Sequence, residues 1–142
     1  MLIESDLIIA YIKKSDWLKP SADKIFQAIQ TKHLENIQIS THVIHELYYV
    51  FSDLAQLSTI LSNAVKISTL DNITYVDTTR EIMISALELI STYQISSVFD
   101  AIYAATALTN LVPDHVILST DTAYDKIPGL KRIDPRELHI SS

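Results

Sequence analysis

Residues 96–111 read SSVFDAIYAATALTNL, and Asp100 is the only formal charge between Glu88 and Asp114. A helix that is apolar nearly all round belongs in an interior. An ionised carboxylate there is costly unless it is paired, hydrogen-bonded or bound to a metal. The flanking segments supply the rest of the fold. Short apolar strands are expected at Leu2–Ser5, Ile37–Ser40 (IQIS), Ile73–Val76 (ITYV), Val116–Ser119 (VILS) and Leu130–Ile133. Helical patterns fall between them. Strands that alternate with helices, and are themselves continuously apolar, indicate a parallel sheet covered on both faces. The expected fold is therefore α/β: a three-layer α/β/α sandwich with a mostly parallel central sheet of four or five strands. With no repeat, linker or low-complexity tract, residues 1–142 read as a single domain.

The helices carry their own punctuation. The first runs from DLIIAYI to a stop before Pro20, and Ser21 is placed to cap a second through about Ile29. A long helix is expected from Thr41 through HVIHELYYVFSDLAQL towards Val65. Thr78 or Thr79 caps another through about Tyr93, Ser97 opens the charge-poor helix, and Pro128-Gly129 makes a turn.

Asp6 follows the first strand and Asp121 follows VILS, both at the edge where α/β sheets bind ligands. Glu46 lies about 60° from the axis of the apolar stripe Val43, Leu47, Val50 and Leu54, where a solvent-facing glutamate would sit opposite. Each acid also has an ordinary explanation. Asp6 suits an N-cap, and Asp100 completes a Ser-x-x-Asp capping arrangement. Asp121 suits an Asx-turn, and Glu46 a border position paired with a lysine. One oxygen-lined site for a hard divalent cation accounts for all four together. His42 and His45, three residues apart with no third ligand, do not suggest zinc. Ser119 and Asp125 are auxiliary candidates near Asp121; the ordinary alternatives are a strand end and a turn.

Composition narrows the function. Zero cysteines exclude disulfides and thiolate metal sites. One glycine excludes a P-loop, a GxGxxG turn and a nucleophile elbow, and so the nucleotide-cofactor enzymes built on them. No run approaches the ~20 apolar residues of a membrane helix, and the N-terminus does not read as a signal peptide. A cytoplasmic protein is expected. A net charge of −6 argues against nucleic acid, though metal bound to carboxylates inverts the local field.

These residues resemble the PIN domain family, metal-dependent ribonucleases that include VapC-type toxins. The resemblance rests on IESDLIIAY, ISTHVIHELYYVF, SSVFDAIYAATAL and ILSTDTAYDKIPGLKRIDP, which deliver the acids in the family's order. Carried over, Asp6, Glu46, Asp100 and Asp121 match the acidic quartet as catalytic and metal-binding residues. Ser119 matches the hydroxyl residue two before the last acid, and Asp125 a further acid of many members. Leu7 departs from the serine or threonine that commonly follows the first aspartate.

The resemblance implies an Mg²⁺- or Mn²⁺-dependent endoribonuclease acting on an RNA substrate. It further implies the toxin of a toxin–antitoxin pair, with an antitoxin partner and a homodimer joined through an apolar helical face. The alternatives are a catalytically inactive PIN-like module that binds RNA or protein, and, less favoured, a phospho-receiver domain with Asp77 as acceptor.

Overall fold

The computed structural model describes residues 1–140. Five strands form one sheet: β1 (Leu2–Ile3), β2 (Ile37–Ser40), β3 (Ile73–Val76), β4 (Val116–Leu118) and β5 (Lys131–Ile133), in the order β3-β2-β1-β4-β5. Every pairing is parallel. The six α-helices are α1 (Ser5–Ile12), α2 (Lys19–Gln30), α3 (Val43–Phe51), α4 (Leu57–Ser68), α5 (Arg80–Tyr93) and α6 (Val98–Ala107). A 3₁₀ turn spans Thr122–Lys126. The α/β sandwich read from the sequence is the observed architecture.

Strand alternation builds the two cores. Successive strand side chains point to opposite faces. Leu2 and Ile117 enter the layer with α5 and α6, while Ile3 and Leu118 enter the layer with α1, α2 and α3. The charge-poor helix is as buried as its sequence requires: Ala101 through Ala107 are all buried, Tyr103 among them. Four alanines in that stretch let the helix lie close to its neighbours. Ser97 caps it by accepting from the Asp100 backbone N–H at 3.3 Å. Thr79, not Thr78, caps α5 by accepting from Ile82. Gly129, at φ +82°, takes the left-handed turn position after Pro128.

Three local expectations need correction. The first strand is only Leu2–Ile3; Glu4 is the N-cap, and Asp6 sits inside the first turn of α1. The second helix starts at Lys19 with Pro20 in its first turn, so Ser21 is not its cap. Proline is tolerated there because its missing N–H would have had no intrahelical partner. The long helix after Thr41 is two helices broken at 52–56, where Gln56 turns to extended backbone. The Ser52 hydroxyl donates to Tyr49 O at 3.4 Å, the kind of local backbone bond that weakens a helix. Leu54 therefore stands exposed rather than continuing the stripe of Val43 and Leu47.

Candidate active site

The chain runs from β1 to β2 on one side, and β4 lies on the other, so the crevice of this sheet opens beyond the carboxyl ends of β1 and β4. Ser119, Thr120 and Asp121 leave β4 there, beside Glu4, Ser5 and Asp6 leaving β1. Backbone bonds fix the register: Glu4 N–H donates to Leu118 O, and Ser119 N–H donates to Ile133 O.

Asp6 is held from several directions. Its Oδ1 accepts from Leu7 N at 2.6 Å; its Oδ2 accepts from Thr120 N at 2.8 Å and from Thr120 Oγ1 at 2.7 Å. It clamps the end of β4 to the start of α1. Glu4, which the sequence reading passed over, lies deeper and is buried. Its Oε1 accepts from Ser5 Oγ at 2.6 Å, and its Oε2 accepts from Ser119 Oγ at 3.2 Å and Asp6 N at 3.3 Å. Burial pushes the Glu4 carboxyl well above the ordinary carboxylate range; the charge of Asp6, then that of Glu46, adds to the shift. Ser119, fully buried, also accepts from Asp121 N at 3.0 Å, so one hydroxyl ties the two strand ends together.

Across the crevice, Tyr103 Oη donates to Glu46 Oε2 at 2.6 Å. Asp100 is half-buried, and its carboxyl is pushed up to about 6 by burial, then by Asp121, Glu46 and Asp6. Asp121 is exposed and caps the 3₁₀ turn, its Oδ1 accepting from Ala123 N at 2.8 Å. Asp125 points elsewhere: Arg132 grips it bidentately at 2.9 and 3.1 Å and reaches Ser119 O at 3.2 Å. It braces the loop beneath the crevice. Asp77 follows β3 on the outer edge of the sheet, away from these acids, which removes the basis for a phospho-receiver.

The structure thus gathers Asp6, Glu46, Asp100 and Asp121 into one mutual electrostatic field, adds Glu4, and leaves Asp125 outside it. Among the described residues, none of the ion pairs includes any of the five gathered acids. Uncompensated carboxylates whose charges raise the pKa of a buried or half-buried neighbour, as they do at Glu4 and Asp100, mark functional sites more often than structural ones. Their oxygen-only donor set fits a hard cation such as Mg²⁺ or Mn²⁺. Among the described residues, no three His, Asp or Glu groups converge tightly enough to hold a metal as they stand. Side-chain rotation is what would bring these acids onto one ion.

A family model for the PIN domain matches residues 1–130. The chain belongs to the PIN domain family. No curated protein sequence matches it. Among solved structures, this PIN domain is similar to VapBC2 from Rickettsia felis bound to a DNA fragment from its promoter. That likeness has a TM-score of 0.67 and 18% identity, over 93% of this chain and 96% of that one. It is also similar to VapC20 of Mycobacterium tuberculosis, a Sarcin-Ricin loop cleaving toxin, with TM-score 0.68, 14% identity, and 87% and 92% coverage. A toxin–antitoxin complex from Klebsiella pneumoniae gives TM-score 0.65, 16% identity, and 96% and 98% coverage.

Beside the acids, this PIN domain carries an apolar groove of about 610 Å³ lined by α3, α4 and the start of α6. Tyr48, Tyr49, Leu57, Leu61 and Val98 are exposed along it. His42, whose ring lies 5.0 Å from that of Phe99, forms part of its wall. Burial, then the neighbouring His45, holds the His42 imidazole below its usual pKa. Both histidines line a wall of the groove and do not form a metal group with the acids. No single helix among the described residues is long and apolar enough to cross a membrane.

Proposed function

We propose that this PIN domain is a divalent-metal-dependent endoribonuclease, the toxin of a cytoplasmic toxin–antitoxin pair. The carrying observation is Asp100: a carboxyl pushed up to about 6 inside a helix otherwise free of charge, facing other acids rather than a cation. A site that holds such a charge without a partner is built for a positive ligand. Glu46, Asp100 and Asp121, with Glu4 or Asp6, would hold Mg²⁺ or Mn²⁺. When bound, the ion supplies positive charge that lowers the pKa of an attacking water and neutralises the scissile phosphate. Tyr103 fixes the Glu46 carboxylate, and Ser119 and Thr120 fix the acids on β1 and at the end of β4. No side chain serves as a covalent nucleophile.

An antitoxin partner belongs to the same reading. The groove beside the acids exposes aromatic and aliphatic side chains that a protein partner would cover, and covering it would also cover the approach to the crevice. A homodimer would use the exposed apolar face of α5, formed by Met83, Ile84 and Leu87. The catalytically inactive alternative keeps the fold and loses the ion.

Cleavage of a structured RNA by purified protein separates them. Cleavage that requires Mg²⁺ or Mn²⁺, stops on chelation and is lost in Asp121→Asn supports the nuclease. Cleavage that persists in chelator contradicts the metal-dependent assignment. An intact fold that binds RNA without cutting it, in metal, favours the inactive module.

A further inference from the structure

Eight of the chain's eleven lysines and arginines lie in two segments, 13–24 (KKSDWLKPSADK) and 125–137 (DKIPGLKRIDPRE). The same segments hold five of its seventeen acids, so they carry +3 while the chain as a whole carries −6. The two segments meet where the Arg136 guanidinium lies over the ring of Trp17, 5.3 Å from its centroid. Trp17 is the only tryptophan, and it is 66% exposed. With the guanidinium against one face of the indole, that exposure leaves the other face open to solvent.

A single exposed apolar side chain is ordinary on a protein surface. This one is braced from behind. Asp134 is buried, and its carboxylate accepts from Arg136 N at 2.9 Å and from Arg136 Nε at 2.8 Å, which fixes the guanidinium. Asp16 accepts from Leu18 N at 3.0 Å and pairs with Lys13 at 3.5 Å, and Leu18 is buried, so the loop that carries the indole is tied down. The position is equally specific. β5 runs parallel to β4, and Ser119 N–H donates to Ile133 O, so Asp134 leaves β5 on the edge where Ser119 and Asp121 leave β4. Neighbouring strands lie about 5 Å apart. Arg136 and Trp17 therefore flank the acid crevice on its β5 side, on the same edge of the sheet.

A flat aromatic face backed by a guanidinium, with the exposed Lys14 nearby in the same loop, is suited to stack an unpaired base and attract its phosphates. Such a contact tolerates any sequence, because every base has a π-face. A duplex keeps its bases stacked on one another and offers none. The two segments also concentrate positive charge that the chain as a whole lacks, and phosphate backbones bind chiefly through such charge. Trp17 is no part of the apolar groove lined by α3, α4 and α6 that a protein partner would cover.

We propose that Trp17, held by Arg136, is a base-stacking platform for single-stranded RNA beside the acid crevice. The inference deepens the ribonuclease reading above, on which it rests, by placing the substrate strand across the β5 side of the site.

The indole is its own reporter, because no other tryptophan contributes to the emission. The test titrates a mixed-sequence single-stranded RNA of about 10 nucleotides, within the site sizes of single-strand binders, into the full chain in Mg²⁺. Asp121→Asn is present throughout to prevent cleavage. Tryptophan emission and the anisotropy of a labelled strand are read together. Saturable quenching that follows the anisotropy curve is expected, and the same RNA annealed into a duplex should quench little. Trp17→Ala should weaken binding about 10-fold, as loss of one base–aromatic stack does, while Trp17→Phe keeps most of the affinity. The side chain is exposed, so both variants should melt close to the parent.

RNA that binds without changing the emission, or that binds Trp17→Ala as tightly as the parent, would overturn the proposal. So would a duplex that quenches as strongly as the single strand. A Trp17→Ala protein that changes its size in light scattering but keeps its RNA affinity would overturn it too, since that is the signature of a protein contact. A folded parent that binds no RNA at all would overturn the ribonuclease reading itself, a result distinct from any of these.

Discussion

Replacing Asp100 with asparagine should stabilise the metal-free protein. The Asp100 carboxyl rises from an ordinary 3.8 to about 6 in the fold. Between those two values the folded state binds more protons than the unfolded state, so stability falls as pH rises through that window and the deficit is complete above it. Two pK units at about 1.36 kcal/mol each correspond to about 3 kcal/mol. The carboxyl is only half-buried, and solvent screening reduces the strain to about 1.5 kcal/mol. Asparagine keeps the shape and removes the charge, giving back a little of the gain because a negative charge in the first turn of α6 favours the helix. For a chain of this length the net change corresponds to a rise of about 3–6 °C in melting temperature at pH 7 in chelator.

Thermal denaturation followed by circular dichroism, at pH 7 and pH 5, is the assay. The advantage of Asp100→Asn should shrink markedly at pH 5, where the wild-type carboxyl is largely protonated in the fold. Mn²⁺ at ten times its dissociation constant should then add about 1.4 kcal/mol to wild type and little to the variant, closing the gap from the other side. A variant that melts at or below wild type in chelator at pH 7 would refute the claim that Asp100 is an uncompensated charge. Equal Mn²⁺ stabilisation of both proteins would refute the claim that it answers to a cation.

Two further outcomes follow from the same structure. Thr120→Val deletes the 2.7 Å hydroxyl bond to Asp6 and should cost about 1–2 kcal/mol in urea denaturation, as charge-assisted bonds do, while secondary structure stays intact; an unchanged midpoint would show that the clamp is unimportant. Leu87→Glu on the exposed face of α5 should convert a homodimer to monomer in light scattering after size exclusion, and a dimer that survives it would place the interface elsewhere.

The fold was legible because its signals were local. Strand runs such as IQIS and ITYV, the Ser97 cap and the single charge of residues 96–111 each declare an element without reference to any other. Asp100 stands out in the sequence for a similar reason, as an acid where an acid is expensive; Glu46 stands out by its nearness to an apolar stripe, and Asp121 by its place after VILS. Glu4 was not. Two acids stand two residues apart in IESD, and only the depth of β1 relative to β4 decides which is buried against Ser119 and which clamps Thr120. The role of Asp125 was hidden similarly, because its bidentate partner Arg132 lies on a different strand.

The claim beneath all of this is that the gathered carboxylates form one divalent-cation site. Electron paramagnetic resonance of Mn²⁺ titrated into the folded wild type and into Asp100→Asn/Asp121→Asn tests it most directly, because free and protein-bound Mn²⁺ give separable signals. Saturable binding in wild type that disappears in the double variant is the expected result. Binding that is equal in both proteins, or absent from a folded wild type with RNA present, would contradict the account.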